Sequence, residues 1–154
     1  MKKRILAIFM AAAFFGGAVQ AMDSETLLKD PARYPVVYAT GKLRMYADTE
    51  TAQAMQTMDY PGSIENVSFT LYVETYKKNA DAFDFARGGL VTKIWEYKVE
   101  LFADRREKHY EMKLLPVAAY DTKGGKTVGD AKGKIGVSAK EIYYNLSRIL
   151  RVGR

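Results

Sequence analysis

Residues 66–76, NVSFTLYVETY, alternate with a period of two: Val67, Phe69, Leu71 and Val73 fall on one side, Ser68, Thr70, Tyr72 and Glu74 on the other. Only an extended strand sends every second side chain to the same face, so this stretch reads as a strand buried on one side. The pattern returns over 90–103, LVTKIWEYKVELFA. There Val91, Trp95, Tyr97, Val99 and Leu101 share a face opposite Thr92, Glu96, Lys98 and Glu100, with Ile94 and Phe102 out of phase. Tyr110, Met112 and Leu114 carry a third long strand toward Tyr120, in which Pro116 marks a bulge or an edge. Successive strands joined by polar turns predict an antiparallel sheet.

A sheet with one apolar face needs a cover, and the end of the chain supplies one. Ala139, Ile142, Tyr143, Leu146, Ile149 and Leu150 form a single stripe at helical spacing, with Lys140, Asn145, Arg148 and Arg151 opposite. Ser138 and Glu141 have the spacing of a capping box, and Val137 and Ile142 that of a hydrophobic staple. The expected fold class is α+β: an antiparallel sheet of about five or six strands with this amphipathic helix packed on one face.

The remaining stretches give smaller expectations. Residues 22–35, with two prolines, read as a lead-in with one helical turn. PVVYATGKLRMYA reads as two short strands around Thr40-Gly41-Lys42, Gly41 supplying a positive φ. DTETAQAMQTM, 48–58, is rich in Ala, Gln and Met and predicts a short helix opened by Asp48 or Thr49. DYPGS and DTKGGK are turns, KKNADAFDFARGG is a polar loop in which Phe83 and Phe85 tuck under the sheet, and 127–137 holds a short last strand.

The first 21 residues have the basic start (Lys2, Lys3, Arg4), apolar run and small-residue end of a secretory signal peptide, with Val19 and Ala21 placed for cleavage. A membrane anchor is the weaker reading, because the run is short for a hydrocarbon core of about 30 Å. Residues 22–154 then form a single exported domain with no membrane span, periplasmic or at the cell surface. Removing the leader leaves 21 basic residues against 18 acidic, a net charge of +3. That is far from the strong positive field of a nucleic-acid binder. The chain has no cysteine, so an exported fold must rest on its core with no disulfide.

The same inventory excludes several chemistries. One histidine, His109, and no cysteine cannot make a zinc or iron site. No cofactor is expected. The GGKT at 124–127 lacks the phosphate loop's earlier glycine, Tyr120 standing in its place. Carboxylates are spread along polar strand faces with no pair singled out for glycoside chemistry. The densest cluster of polar groups is RREKHY, 105–110, which the alternation makes a hairpin tip: Arg105 and Arg106 at the turn, His109 toward solvent, Tyr110 toward the core. Eleven tyrosines are the compositional excess. Tyr suits strands but also partner surfaces, and Tyr72, Tyr76 and Tyr144 are candidates because their phase points away from the apolar face.

A strand ending near Asp104, the basic turn RREKHY, a strand running into VAAYDTKGGK, a Gly-rich stretch and a terminal helix opening at Ser138 together resemble the surface-adhesin protein E family of small exported bacterial proteins. LRMYADTET is similar to that family's short strand and turn. The resemblance implies an antiparallel sheet with a terminal helix on one face, and adhesion to host extracellular-matrix and serum proteins. Two features depart from it. The family often ties helix to sheet with a disulfide, where this chain has Ala103 and Arg151, and the lipid-anchoring cysteine of some members is absent.

The expected function is non-enzymatic binding of a macromolecular partner through an exposed sheet face or hairpin tips, with Arg105, Arg106, Lys108, Tyr72 and Tyr76 as contacts. The alternative is a periplasmic small-molecule binder or enzyme with a pocket between helix and sheet.

Overall fold

The computed structural model describes residues 22–56, 64–77, 90–121, 124–127 and 136–152. They form a six-stranded antiparallel sheet in sequence order: β1 Val36–Ala39, β2 Leu43–Gln56, β3 Ile64–Lys77, β4 Leu90–Asp104, β5 His109–Tyr120 and β6 Lys126–Thr127. A six-residue helix, α1 Ser24–Lys29, precedes the sheet, and α2 Ala139–Val152 follows it. The α+β class read from the alternation is the one adopted. The expected leader 1–21, the expected DYPGS turn, Phe83 and Phe85, and residues 128–135 lie outside the described residues. No helix among the described residues is long and apolar enough to cross a membrane.

The first core lies between α2 and one sheet face. Val67, Phe69, Leu71 and Val73 of β3 and Tyr97, Val99 and Leu101 of β4 meet Ile142, Tyr143 and Leu146 of α2 there. Those three helix residues are at most 2% exposed. Burying each aliphatic side chain of this size contributes about 1.5–3 kcal/mol, so the stripe seats the helix without a staple. The helix opens at Ser138, whose carbonyl accepts from the amides of Glu141 and Ile142. Asn145, expected on the solvent side, is half-buried and donates from Nδ2 to the Val37 carbonyl at 2.8 Å. It thereby satisfies a polar group of the edge strand β1 and fixes the helix against it.

Three irregularities change which face a residue occupies. On β5, Pro116 pairs with Tyr97 but Ala118 pairs with Glu96, so Val117 is an extra residue. Tyr120 therefore lands on the face opposite Leu114, and the bulge stands at Pro116, where one was expected. On β4 the pairing steps from Thr75–Lys93 to Tyr76–Val91, which moves Val91 away from the helix side. On β2, Asp48 pairs with Thr70 and Gln53 with Ser68, leaving 49–52 as a wide bulge.

That bulge corrects the helix expected over 48–58, because residues up to Gln56 are strand. Asp48 does use its side chain on a following amide, Glu50 N at 3.1 Å, but the turn it closes belongs to the bulge. Thr51 donates to the Asp48 carbonyl and accepts from the amide of Thr70, tying the bulge to β3. A ladder of pairs with β3 overrides the modest helix propensity of Ala, Gln and Met. The β1–β2 turn also differs from expectation. Gly41 has no positive φ; instead Thr40 Oγ1 accepts from the amides of Lys42 and Leu43, both at 3.2 Å. The positive φ values among the described residues are at Gly124 (82°) and Lys108 (53°).

The second sheet face has its own core. Met22, Leu27 and Tyr34 of the N-terminal segment cover Tyr46, Tyr72, Ile94, Ala118 and Tyr120. Asp23 caps α1 by accepting from Thr26 N at 2.7 Å. Beyond α1 the chain turns at Asp30, whose carbonyl accepts from Tyr34 N, and then runs beside β2, with Thr49 N donating to the Arg33 carbonyl. The sheet is thus a layer between two covers: α2 on one side, and residues 22–34 over part of the other.

Candidate interaction surface

The expected basic tip forms as a tight turn. Asp104 Oδ1 accepts from the amides of Arg106 at 3.0 Å and Glu107 at 3.1 Å, which locks residues 105–108 between β4 and β5. Arg105, Arg106, Glu107 and Lys108 are all exposed. Lys108 takes the left-handed conformation, uncommon outside glycine, and so aims the start of β5 back along the sheet. His109 is exposed as expected, with Nε2 2.8 Å from Glu111 Oε1 and its ring edge-on to Phe102. Among the described residues its carboxylate partner, Glu111, is exposed too, which makes a surface pair and no buried catalytic dyad.

Two of the tyrosine candidates are corrected, Tyr72 and Tyr76. Tyr72 does stand on the face opposite α2, but it is 8% exposed, packed edge-on against Tyr34 under the N-terminal segment. Tyr76 is half-buried and its hydroxyl donates to Glu74 at 2.5 Å. Neither presents a free contact surface. The polar phase of β3 and β4 misled because the lead-in's apolar residues, Met22, Leu27 and Tyr34, needed a face to lie on.

What gathers there is a buried tyrosine–carboxylate network. Tyr46 and Tyr76 both donate to Oε2 of the fully buried Glu74, whose Oε1 accepts no hydrogen bond. Tyr120 donates to Glu96 at 2.6 Å. Burial pushes the Tyr46 hydroxyl up to about 12, with the Glu74 charge adding to it. Burial likewise raises Tyr72, Tyr76 and Tyr120, helped by Glu96, Glu74 and Glu96 respectively. Tyr46, Tyr76 and Tyr120 are therefore proton donors that hold carboxylates, and all four phenols are poor candidates for a base at neutral pH. At the border of this core, Arg33 grips Asp48 with Nε and Nη2, each at 3.1 Å, and reaches Glu50 with Nη1 at 2.8 Å. The Asp48 side chain is 3% exposed, so the fork neutralises a buried carboxylate.

The other half of that sheet face, toward the tip, is open and polar. Asn66, Glu100, Phe102, Glu111 and Lys113 line a shallow depression of about 400 Å³. A second, of about 300 Å³, shares Asn66 and Glu100 and adds Gln53 and Ser68. Lys113 Nζ lies 3.8 Å from Glu100. These depressions are on the far side of the sheet from α2, whose interface is filled by side chains. Among the described residues no group of three or more His, Asp or Glu side chains could hold a metal ion. The GGKT stretch is a turn leading into β6: Gly125 N donates to Asp121 Oδ1, and a Cβ at Gly125 would stand 2.6 Å from Asp121.

Along the helix side of β5, Tyr110 packs on Tyr143 and Tyr144 with ring centroids 5.4 and 5.9 Å away. Tyr110 and Tyr144 share a hydroxyl contact of 3.0 Å, and Tyr144 remains exposed. Comparison with protein-family models, curated proteins and solved structures finds no match to this chain.

Proposed function

We propose that this is an exported, non-enzymatic binding protein, adhesin-like and similar to the surface-adhesin protein E family, that contacts a macromolecular partner through the tip of the β4–β5 hairpin and the open half-face beside it. The observation that carries the reading is the turn itself: Arg105, Arg106 and Lys108 stand exposed on a loop that Asp104 fixes from below. A preorganised cluster of cations loses little entropy on binding and suits an acidic surface of a protein. The shallow depressions, of mixed polar and apolar lining, suit a broad contact better than an enclosed small molecule. The filled α2–sheet interface weighs against the rival reading of a small-molecule pocket there.

The test is solid-phase binding to a panel of extracellular-matrix and serum proteins, with Arg105→Glu/Arg106→Glu as the comparison. Binding that falls about tenfold in the double variant, mainly through slower association and with reduced salt sensitivity, is the expected result. Equal binding by both forms, or none by either, rejects the proposal. Cell fractionation with surface protease treatment checks export: protection in an unfractionated cell together with a cytoplasmic location would end the adhesin reading.

A further inference from the structure

Among the described residues, β5 pairs on its outer side only through Ala119 and Tyr120, which meet β6. From His109 to Leu115 the strand is thus a sheet edge, and an edge of this length is a template for another strand. Three of the exposed large apolar side chains stand on it or beside it: Leu115 at 42%, Val117 at 45% and Tyr144 at 52%. A turn at Lys108 and a bulge after Pro116 close its two ends, and between them the edge carries one charge of each sign, Glu111 and Lys113.

We propose that β5 pairs antiparallel with β5 of a second copy of this chain, about a twofold axis at Met112, to make one continuous sheet. The strand's own sequence selects that register. Keeping the two α2-covered faces on the same side requires the axis to pass through a residue and not between residues. An axis at Glu111 would set Glu111 against the partner's Glu111, and one at Lys113 would oppose two lysines. An axis at Met112 sets Glu111 opposite the partner's Lys113 and Lys113 opposite the partner's Glu111, both on the open face. On the helix side it sets Tyr110 opposite the partner's Leu114, and Met112 on the partner's Met112. Like charges directly opposed destabilise a strand pair and unlike ones support it, so the sequence discriminates among its own registers.

Two further observations fit this edge. Proline is tolerated on an edge where its missing N–H belongs to the outward row. Pro116 shares that row with Tyr110, Met112 and Leu114, so the donors facing the partner stop where the bulge begins. Within one chain, Lys113 is held only loosely by Glu100, at 3.8 Å, and the side chains of Glu111 and Lys113 are 69% and 67% exposed. The pairing would give each lysine a second carboxylate and join the two copies' open half-faces into one surface.

Sedimentation velocity of the purified protein over a concentration series tests this. The expected result is a monomer–dimer equilibrium that Glu111→Lys and Lys113→Glu each weaken about tenfold, and that the two substitutions together restore. Both side chains are exposed, so circular dichroism should show every variant folded. Because the chain has no cysteine, Met112→Cys under mild oxidation should give a covalent dimer, its Cα atoms about 5.5 Å from the partner's across a hydrogen-bonded pair. Lys98→Cys, one strand inward, should not. A monomer at every concentration overturns the proposal, and so does a dimer indifferent to the charge swap.

Discussion

Replacing Arg33 by Met tests whether residues 22–34 belong to the fold or only rest on it. Arg33 bonds Asp48 through two nitrogens, and Asp48 sits at 3% side-chain exposure. Removing one member of a fully buried pair costs about 3–5 kcal/mol because a charge is left unpaired. Here the guanidinium is itself 36% exposed, so water screens part of the interaction and the cost must be discounted. Asp48 also keeps its bond from Glu50 N. Methionine retains most of the apolar stem, so the loss is that of a charge-assisted bond, about 2 kcal/mol. In urea, at a slope of about 2 kcal/mol/M, the midpoint should fall by about 1 M. The same variant should increase amide exchange of Thr49, whose N–H donates to the Arg33 carbonyl. A midpoint shift below about 0.25 M, corresponding to about 0.5 kcal/mol, would refute the claim that this clamp holds the second core.

Three further outcomes follow from the same geometry. Leu146→Ala, at 1% exposure in the centre of the α2 contact, should cost about 2–5 kcal/mol in chemical denaturation, and an effect under about 1 kcal/mol would mean the helix is not the sheet's cover. Arg105→Ser with Arg106→Ser should leave stability within about 0.5 kcal/mol, since both are exposed on the turn; a loss of several kcal/mol would show them to be buried partners. Tyr46, raised mainly by burial, and Tyr110, raised mainly by its bond to Tyr144, are each pushed up to about 12. A raised folded value means their contribution is complete below the unfolded phenol's pKa of about 10 and is lost as pH climbs through 10 to 12. Phenolate absorbance should therefore lag behind that of the denatured chain, and the urea midpoint should fall across the same window; coincident titrations would contradict both the buried Tyr46–Glu74 bond and the Tyr110–Tyr144 contact.

The long strands and the terminal helix were legible because each writes its period directly into the sequence. β3 runs through the alternation at 66–76, and Ile142, Tyr143 and Leu146 of the stripe are the helix residues that reach full burial. Bulges are a different kind of feature. An extra residue at Thr92 reverses the phase of the strand beyond it without changing composition, so Val91 falls on the side opposite the one its spacing predicts; at Val117 the proline alone gave notice of the bulge. The segment 48–56 failed for the opposite reason. Its composition predicts a helix that the chain does not form, because its backbone groups are claimed by β3, and only the fold brings those partners together. The candidate site divided in the same way. Arg105, Arg106 and Lys108 needed only a local turn to be placed, whereas the burial of Tyr72 depends on Tyr34, far away in the chain.

The absence of cysteine makes the junction of helix and sheet the telling place. The resemblance to the protein E family would set a disulfide near Ala103, and Ala103 is fully buried in the α2 core, opposite Tyr110 in the ladder. Tyr110 is the residue that meets Tyr143 and Tyr144, so an aromatic trio stands beside the position a staple would use. Such contacts contribute about 0.5–1.5 kcal/mol each beyond their burial. A disulfide would contribute about 2–4 kcal/mol, mostly by restricting the unfolded chain. The two solutions differ in kind as well as in size. Ring packing leaves Tyr144 exposed on the outside of the junction, next to the β5 edge, where a cysteine bridge would leave no such surface. The aromatic residues of this junction are therefore also the ones that a second β5 would cover.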